Sequence, residues 1–206
     1  IPQNTAKLLD ESGTHEKIFK IDDNIAVSVA GITSDANILI DNLRLSAARH
    51  HLTFQEGIPA EQLIRRLCDQ KHSYTQYGGL RPFGVSMLYM AWDKHFGHQL
   101  YASDPSGNYG GWKATCIGSN QQAAQSILKQ DYKEDLTLND AMMLVVKVLQ
   151  KTMDSTSLTS EKLEFATLQR VGDETKLTML KPERIAELLE EGERLRKAQE
   201  EEKEAE

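Results

Sequence analysis

The spacing of apolar residues changes period several times along the chain, and each change predicts an element. Two short β-like runs, 17–21 and 25–30, flank the turn triplet Asp22, Asp23 and Asn24. Gly31 closes the pair, and Ser34 is a residue type that caps helices. From there Ala36, Leu39, Ile40, Leu43 and Ala47 fall on one face, predicting a helix from 34 to about 51. Pro59, suited to the first turn, opens a second helix with Leu63, Ile64, Leu67 and Tyr74 on its apolar side. The stretch 76–120 then turns β-like. A run over 85–92 reads as a buried strand, 99–103 as its hairpin partner and 112–117 as a third strand, separated by an Asp-Pro-Ser-Gly turn at 104–107.

Helical spacing returns in the second half. Ser119 is the expected cap of a helix carrying Ala123, Ala124, Ile127 and Leu128. Thr137 is the expected cap of another, with Ala141, Leu144, Val145, Val148 and Leu149 inward. Strands follow at 163–169 and 175–180, across a turn at Gly172 and Asp173, and Pro182 starts a last helix with Ile185, Leu188, Leu189 and Leu195 on one stripe. Beyond Ala198 only Ala205 is apolar, which predicts a solvated end. Residues 1–16 show no period and read as a loop. Antiparallel strands interleaved with helix pairs predict the α+β class rather than a doubly wound parallel sheet.

Composition narrows the function classes. The 206 residues suffice for one sizeable core. They carry 24 basic and 31 acidic side chains, a net charge of −7, of which −4 lies between residues 181 and 206. Without clustered Lys and Arg, that balance argues against a nucleic-acid surface. No apolar run reaches the length of a membrane span, and the first residues lack a signal-peptide pattern. Cys68 and Cys116 both sit among apolar neighbours, which predicts buried, reduced thiols in a cytosolic or nuclear protein.

Candidate chemistry is sparse. His95 and His98, or the adjacent His50 and His51, have no acidic or cysteine partner at a metal-site spacing, so no metal is expected. Gly31, Gly78, Gly79, Gly84, Gly110 and Gly111 form neither a P-loop nor a dinucleotide fingerprint and read as turns and close packing. No cofactor is expected.

The motifs do carry a resemblance. Gly-Gly-Leu-Arg-Pro-Phe-Gly-Val-Ser (78–86), Asp-Pro-Ser-Gly-Asn-Tyr (104–109) and Gly-Trp-Lys-Ala-Thr-Cys-Ile-Gly (111–118) resemble the centre of 20S proteasome α subunits. The likeness extends through 28–36, 128–133 and 151–154. It implies a four-layer αββα sandwich of the Ntn-hydrolase type with antiparallel sheets, residues 1–180 as the α-type core and 181–206 as a charged helix and tail. Members begin with a longer N-terminal portion, so the chain is expected to be incomplete there. The resemblance also implies the work: rings of seven α subunits template the β rings, restrict substrate entry and dock activators during ubiquitin-dependent degradation in cytoplasm and nucleus. Expected partners are neighbouring α subunits, β subunits and the C-terminal tails of activators or regulatory particles, with no nucleic acid and no membrane.

The active relatives, proteasome β subunits, use an N-terminal threonine with a nearby lysine. Residue 1 here is isoleucine and residue 2 proline, so the nucleophile is absent. Lys17 matches the lysine of those relatives, Gly118 and Ser119 match a Gly-Ser beside the nucleophile, and Asp154-Ser155 lies near a further matching segment. In α subunits the resemblance gives Lys17 another use. It lines a pocket, bordered by Gly31 and Ile32, that receives an activator's terminal carboxylate. Two other readings stay open: an active Ntn hydrolase, and a stand-alone binding module that uses the acidic tail.

Overall fold

Five consecutive strands form one antiparallel sheet in the order β1-β2-β3-β4-β5. The computed structural model describes residues 16–153 and 158–204, with side chains through residue 197. The expected N-terminal loop up to residue 15, Asp154-Ser155 and the side chains of the solvated end lie outside the described residues. Two compact units share the chain. One comprises residues 16–119 and 166–178, the other 120–165 and 179 onward.

In the first unit β1 (Ile18–Asp22) pairs with β2 (Ile25–Gly31), and β2 with β3 (Val85–Asp93). The long β3 alternates strictly: Val85, Met87, Tyr89 and Ala91 are buried, while Ser86, Leu88, Met90 and Trp92 are half-buried. A continuous apolar run hides that alternation from sequence, because both faces are written in the same residue types. The inner face packs on α1 (Thr33–Phe54) and α2 (Ala60–Gln76), through Leu39, Ile40, Leu43, Leu63, Ile64 and Leu67. Each such side chain contributes about 1.5–3 kcal/mol by leaving water. β3 continues into β4 (Gly97–Ser103) through a turn organised by Asp93, whose carboxylate accepts from the His95 and Phe96 amides at 2.9 and 2.8 Å. The same carboxylate accepts from Ala60 N at 3.3 Å, one of the orphan amides at the start of α2. Burial pushes the Asp93 carboxyl up, but the hydrogen bonds from Gln99 and these amides outweigh it and hold the group below its ordinary range.

The third strand differs from its expected 112–117 span. β5 is Tyr109–Trp112, with Ser103 opposite Tyr109 and Leu100 opposite Trp112. The Asp104 side chain closes the preceding turn, accepting from Ser106 N at 2.8 Å, and pairing resumes at once. Gly110 and Gly111, which read as a turn, therefore lie in the strand, and Gly111 is bare where the Tyr101 ring lies 3.6 Å from the position of an added Cβ. A separate hairpin, β6 (Ala166–Val171) and β7 (Glu174–Met179), belongs to this unit, and Arg170 lies 4.1 Å over the Trp92 ring.

The second unit is helical: α3 (Gln121–Asp131), α4 (Leu138–Thr152) and α5 (Pro182–Glu204). Thr137 caps α4 as its sequence predicts, and the structure adds a capping box with Asp140. The buried set of this helix is Leu144, Val146 and Val148, while Ala141 and Leu149 are half-buried and Val145 is exposed. Val146 joins Leu163, Phe165, Ile185, Leu188 and Leu189 in the core of this unit, so 163–165 precede the strand instead of opening it. Leu195 lies exposed, and the apolar stripe of α5 ends at Leu189. Ser119 is not the cap of α3. Asn120 takes that place in a left-handed conformation (φ 59°) and donates from Nδ2 to Thr152 O at 2.8 Å, tying the start of α3 to the end of α4.

Candidate functional site

One end of the five-stranded sheet gathers the residues singled out from sequence. β1 begins there, β2 ends there and β3 begins there. Lys17 lies just before β1, and its carbonyl accepts from Val29 N at 3.1 Å. That register puts Lys17 across from Val29, two positions before Gly31, on the half-buried margin of the sheet.

Gly31 must be glycine. Its φ is +131°, and a Cβ would stand 2.3 Å from the Gly84 carbonyl oxygen. Ile32 donates its amide to the same oxygen at 2.9 Å, and its Cδ1 occupies the space a Gly84 Cβ would need. The two backbones thus touch, and half of the Ile32 side chain remains exposed. The first α1 hydrogen bond runs from Ala36 N to Ile32 O at 3.1 Å. Helix α1 therefore begins at Thr33 with Ile32 as its cap residue, and Ser34 is inside the first turn instead of capping it. Pro59 likewise stands at the cap position of α2, one residue before the first turn.

Two residues that sequence reading passed over hold this turn. Asp35, 5 % exposed, accepts from Arg81 Nη1 and Nη2 at 2.6 and 2.9 Å and from Gly84 N at 2.9 Å. The Arg81 hydrogen bonds, then the Gly84 amide, hold the Asp35 carboxyl down at about 2. A signal was available: Asp35, Leu39 and Leu43 recur every four residues, so a carboxylate occupies the inward stripe of α1.

Gly118, matched to the active relatives, comes to the same end of the sheet, where a Cβ would lie 3.5 Å from the Ala30 methyl. Residue 1 and Asp154-Ser155 lie outside the described residues. Among the described residues no group of three or more His, Cys, Asp or Glu side chains is placed to hold a metal. His50 is buried with both ring nitrogens unpartnered, its ring 4.6 Å from Phe54. No helix among the described residues is long and apolar enough to cross a membrane. The two cysteines form no disulfide. Cys68 is buried, its thiol pushed up to about 11 by that burial, whereas Cys116 is only half-buried, contrary to the expected burial of both.

Two further features stand out. On the outer face of α1, Ile38, Leu45 and Leu52 recur every seven residues and are all exposed, an apolar ridge with no partner within the chain's first unit. In the helical unit a cavity of about 590 Å³ is lined by charges of both signs, among them Asp131 and Lys147 paired at 2.8 Å.

Comparisons with known proteins converge on one family. The family model described as "Proteasome subunit" matches residues 3–168. "Proteasome subunit alpha type-4" of Spinacia oleracea is 65 % identical over 162 residues, 79 % of this chain and 65 % of the relative. "Proteasome subunit alpha type-4-A" of Arabidopsis thaliana is 60 % identical over 186 residues, 90 % of this chain and 74 % of the relative. The alpha type-4 subunit of Petunia hybrida is 58 % identical over 185 residues, with 90 % and 74 % coverage. The chain thus spans 65 to 74 % of the length of these relatives.

Proposed function

The chain belongs to the proteasome subunit family, and on that premise we propose that it is a non-catalytic α-ring subunit of the 20S core particle. What carries the reading is its 60 % identity over 186 residues to a relative named as an alpha type-4 subunit. The helices and antiparallel sheets are those of the α+β, Ntn-type sandwich expected from the sequence. In this reading residues 1–180 form the α-type core and 181–206 its charged extension. The exposed ridge Ile38, Leu45 and Leu52 supports burial of α1 against a neighbouring subunit, α or β. The chain's work is assembly of the ring, restriction of substrate entry and docking of activators, in the ubiquitin-dependent degradation of the cytoplasm and nucleus.

Lys17, Gly31 and Ile32 form the activator-docking pocket. The ammonium of Lys17 meets a terminal carboxylate beside the turn that the close Gly31–Gly84 backbone contact shapes. Their convergence at one end of the sheet supports this assignment. In this reading Lys17 serves docking and not peptide hydrolysis, which needs an N-terminal nucleophile beside such a lysine. The pure chain is therefore expected to leave fluorogenic peptides intact. Hydrolysis by the pure chain that Lys17→Ala abolishes would replace this reading with that of an active Ntn hydrolase.

A further inference from the structure

The turn at Gly31 and Ile32 has little holding it from its own side. Ile32 is the cap residue of α1 and supplies no side-chain hydrogen bond to the helix start. Its amide is fixed only through the Gly84 carbonyl at 2.9 Å. The amide of that same Gly84 is fixed in turn by the Asp35 carboxylate at 2.9 Å. Asp35 is aimed by the two-pronged contact from Arg81. Between Ile32 and Asp35 each link in this relay is a single hydrogen bond, and the Gly84 backbone in the middle has no side chain to substitute for a lost one.

We propose that Asp35 and Arg81 are positioning residues of the docking pocket, bracing the Gly31–Ile32 turn, through the Gly84 peptide, in the shape that receives a peptide's terminal carboxylate. The inference rests on the pocket assignment above. Its physical basis is preorganisation. A site that is already in its bound shape spends no binding energy on ordering itself. The Arg81 side chain is 64 % exposed, so the brace is a surface feature that can be altered without opening the core. A purely structural ion pair would hold the start of α1 and leave docking untouched, and that is the distinction to measure.

The experiment uses assembled core particles carrying Lys17→Ala, Arg81→Gln, Asp35→Asn or Lys17→Ala with Arg81→Gln. The probes are single synthetic peptides of activator C-terminal sequence, each as free acid and as C-terminal amide. Arg81→Gln is expected to weaken the free acid about 3- to 10-fold, as loss of preorganisation does, and to leave the weaker amide nearly unchanged. Particle mass should stay as in the parent. Because Arg81 acts through the pocket, its effect should largely vanish in the Lys17→Ala background. Deuterium uptake in the segments containing Ile32 and Gly84 should rise in Arg81→Gln. If Lys17→Ala weakens the free acid and Arg81→Gln does not, or if the two effects simply add, the brace is structural only and the inference falls. If Lys17→Ala changes nothing, the pocket assignment falls and takes the inference with it. Should the brace variants not assemble, the parent particle still decides. The bound free acid must slow exchange at Ile32 and Gly84, and absence of that protection overturns the proposal.

Discussion

Lys71 is the residue whose placement departs furthest from its chemistry. It has no exposed surface, and its Nζ donates to Ser103 Oγ at 3.0 Å, while Ser103 Oγ and the Tyr89 hydroxyl share a hydrogen bond of 2.8 Å. Burial disfavours its charged form and lowers its pKa. A folded-state pKa below the unfolded one means that the ammonium opposes folding at neutral pH, and stability rises as the pH climbs toward the free-lysine value. Lys71→Met, which keeps the volume and leaves Ser103 and Tyr89 paired, should unfold at or above the parent's melting temperature. Lys71→Ala should lose about 2–4 kcal/mol to the cavity. Thermal unfolding of the purified chain checks both, and a Met variant as weakened as the Ala variant would contradict the account. Asp35 carries the opposite sign. Its carboxyl is lowered from 3.8 to about 2, so its contribution is fully present above about pH 4 and is lost as the pH falls through about 2. The melting-temperature gap between the parent and Asp35→Asn should therefore be constant from neutral pH to about 5 and close between about pH 4 and 2. A gap that persists unchanged to pH 2 would mean that Arg81 contributes nothing through charge. Both residues interrupt apolar stripes, Asp35 in α1 and Lys71 between Leu67 and Tyr74 in α2. The stripe is visible in the sequence, but a polar residue within it reads as a boundary until its partners from distant segments are known.

Among the elements, those that local chemistry determines were legible: the cap at Thr137, the turn at Asp104 and the alternation of strands and helix pairs. What local chemistry could not supply was the consequence of contacts made at long range. The glycines of β5 resemble a turn because glycine is frequent in turns, whereas here Gly110 and Gly111 pair with Ala102 and Tyr101 of β4, a register that only the fold reveals. Val146 replaces Val145 in the core because α5 and residues 163–165, not the helix's own period, select the inward side. The same holds at the β4–β5 turn. Gly107 has φ +88°, and a Cβ there would lie 2.5 Å from Cys68 O and 2.7 Å from His72 N, both backbone atoms of α2. Gly107→Ala should therefore cost about 2–5 kcal/mol, adding backbone strain to overpacking. Gly79 has a similar φ of +98° and nothing within 4 Å, so Gly79→Ala should cost only about 1–2 kcal/mol of strain. Equal losses in urea unfolding would show that α2 does not press on the turn.

At the scale of the whole molecule, the account makes this chain one member of a ring, with an apolar ridge on α1 that a neighbour covers and a docking pocket where the first sheet ends. The account gives the acidic end no part in that work, and removal of residues 199–206 is expected to leave assembly intact. Of this picture the sequence carried the family, through the glycine-rich motifs of its centre. It did not carry the brace behind the pocket, since Asp35 and Arg81 meet across 46 positions. The central claim, an α-ring subunit without activity of its own, is tested most directly by native mass spectrometry of the chain purified from its own cells. The account predicts a multi-ring particle that contains the chain and sheds subunits one at a time on activation, with or without residues 199–206. Recovery of the chain only as a monomer would contradict it.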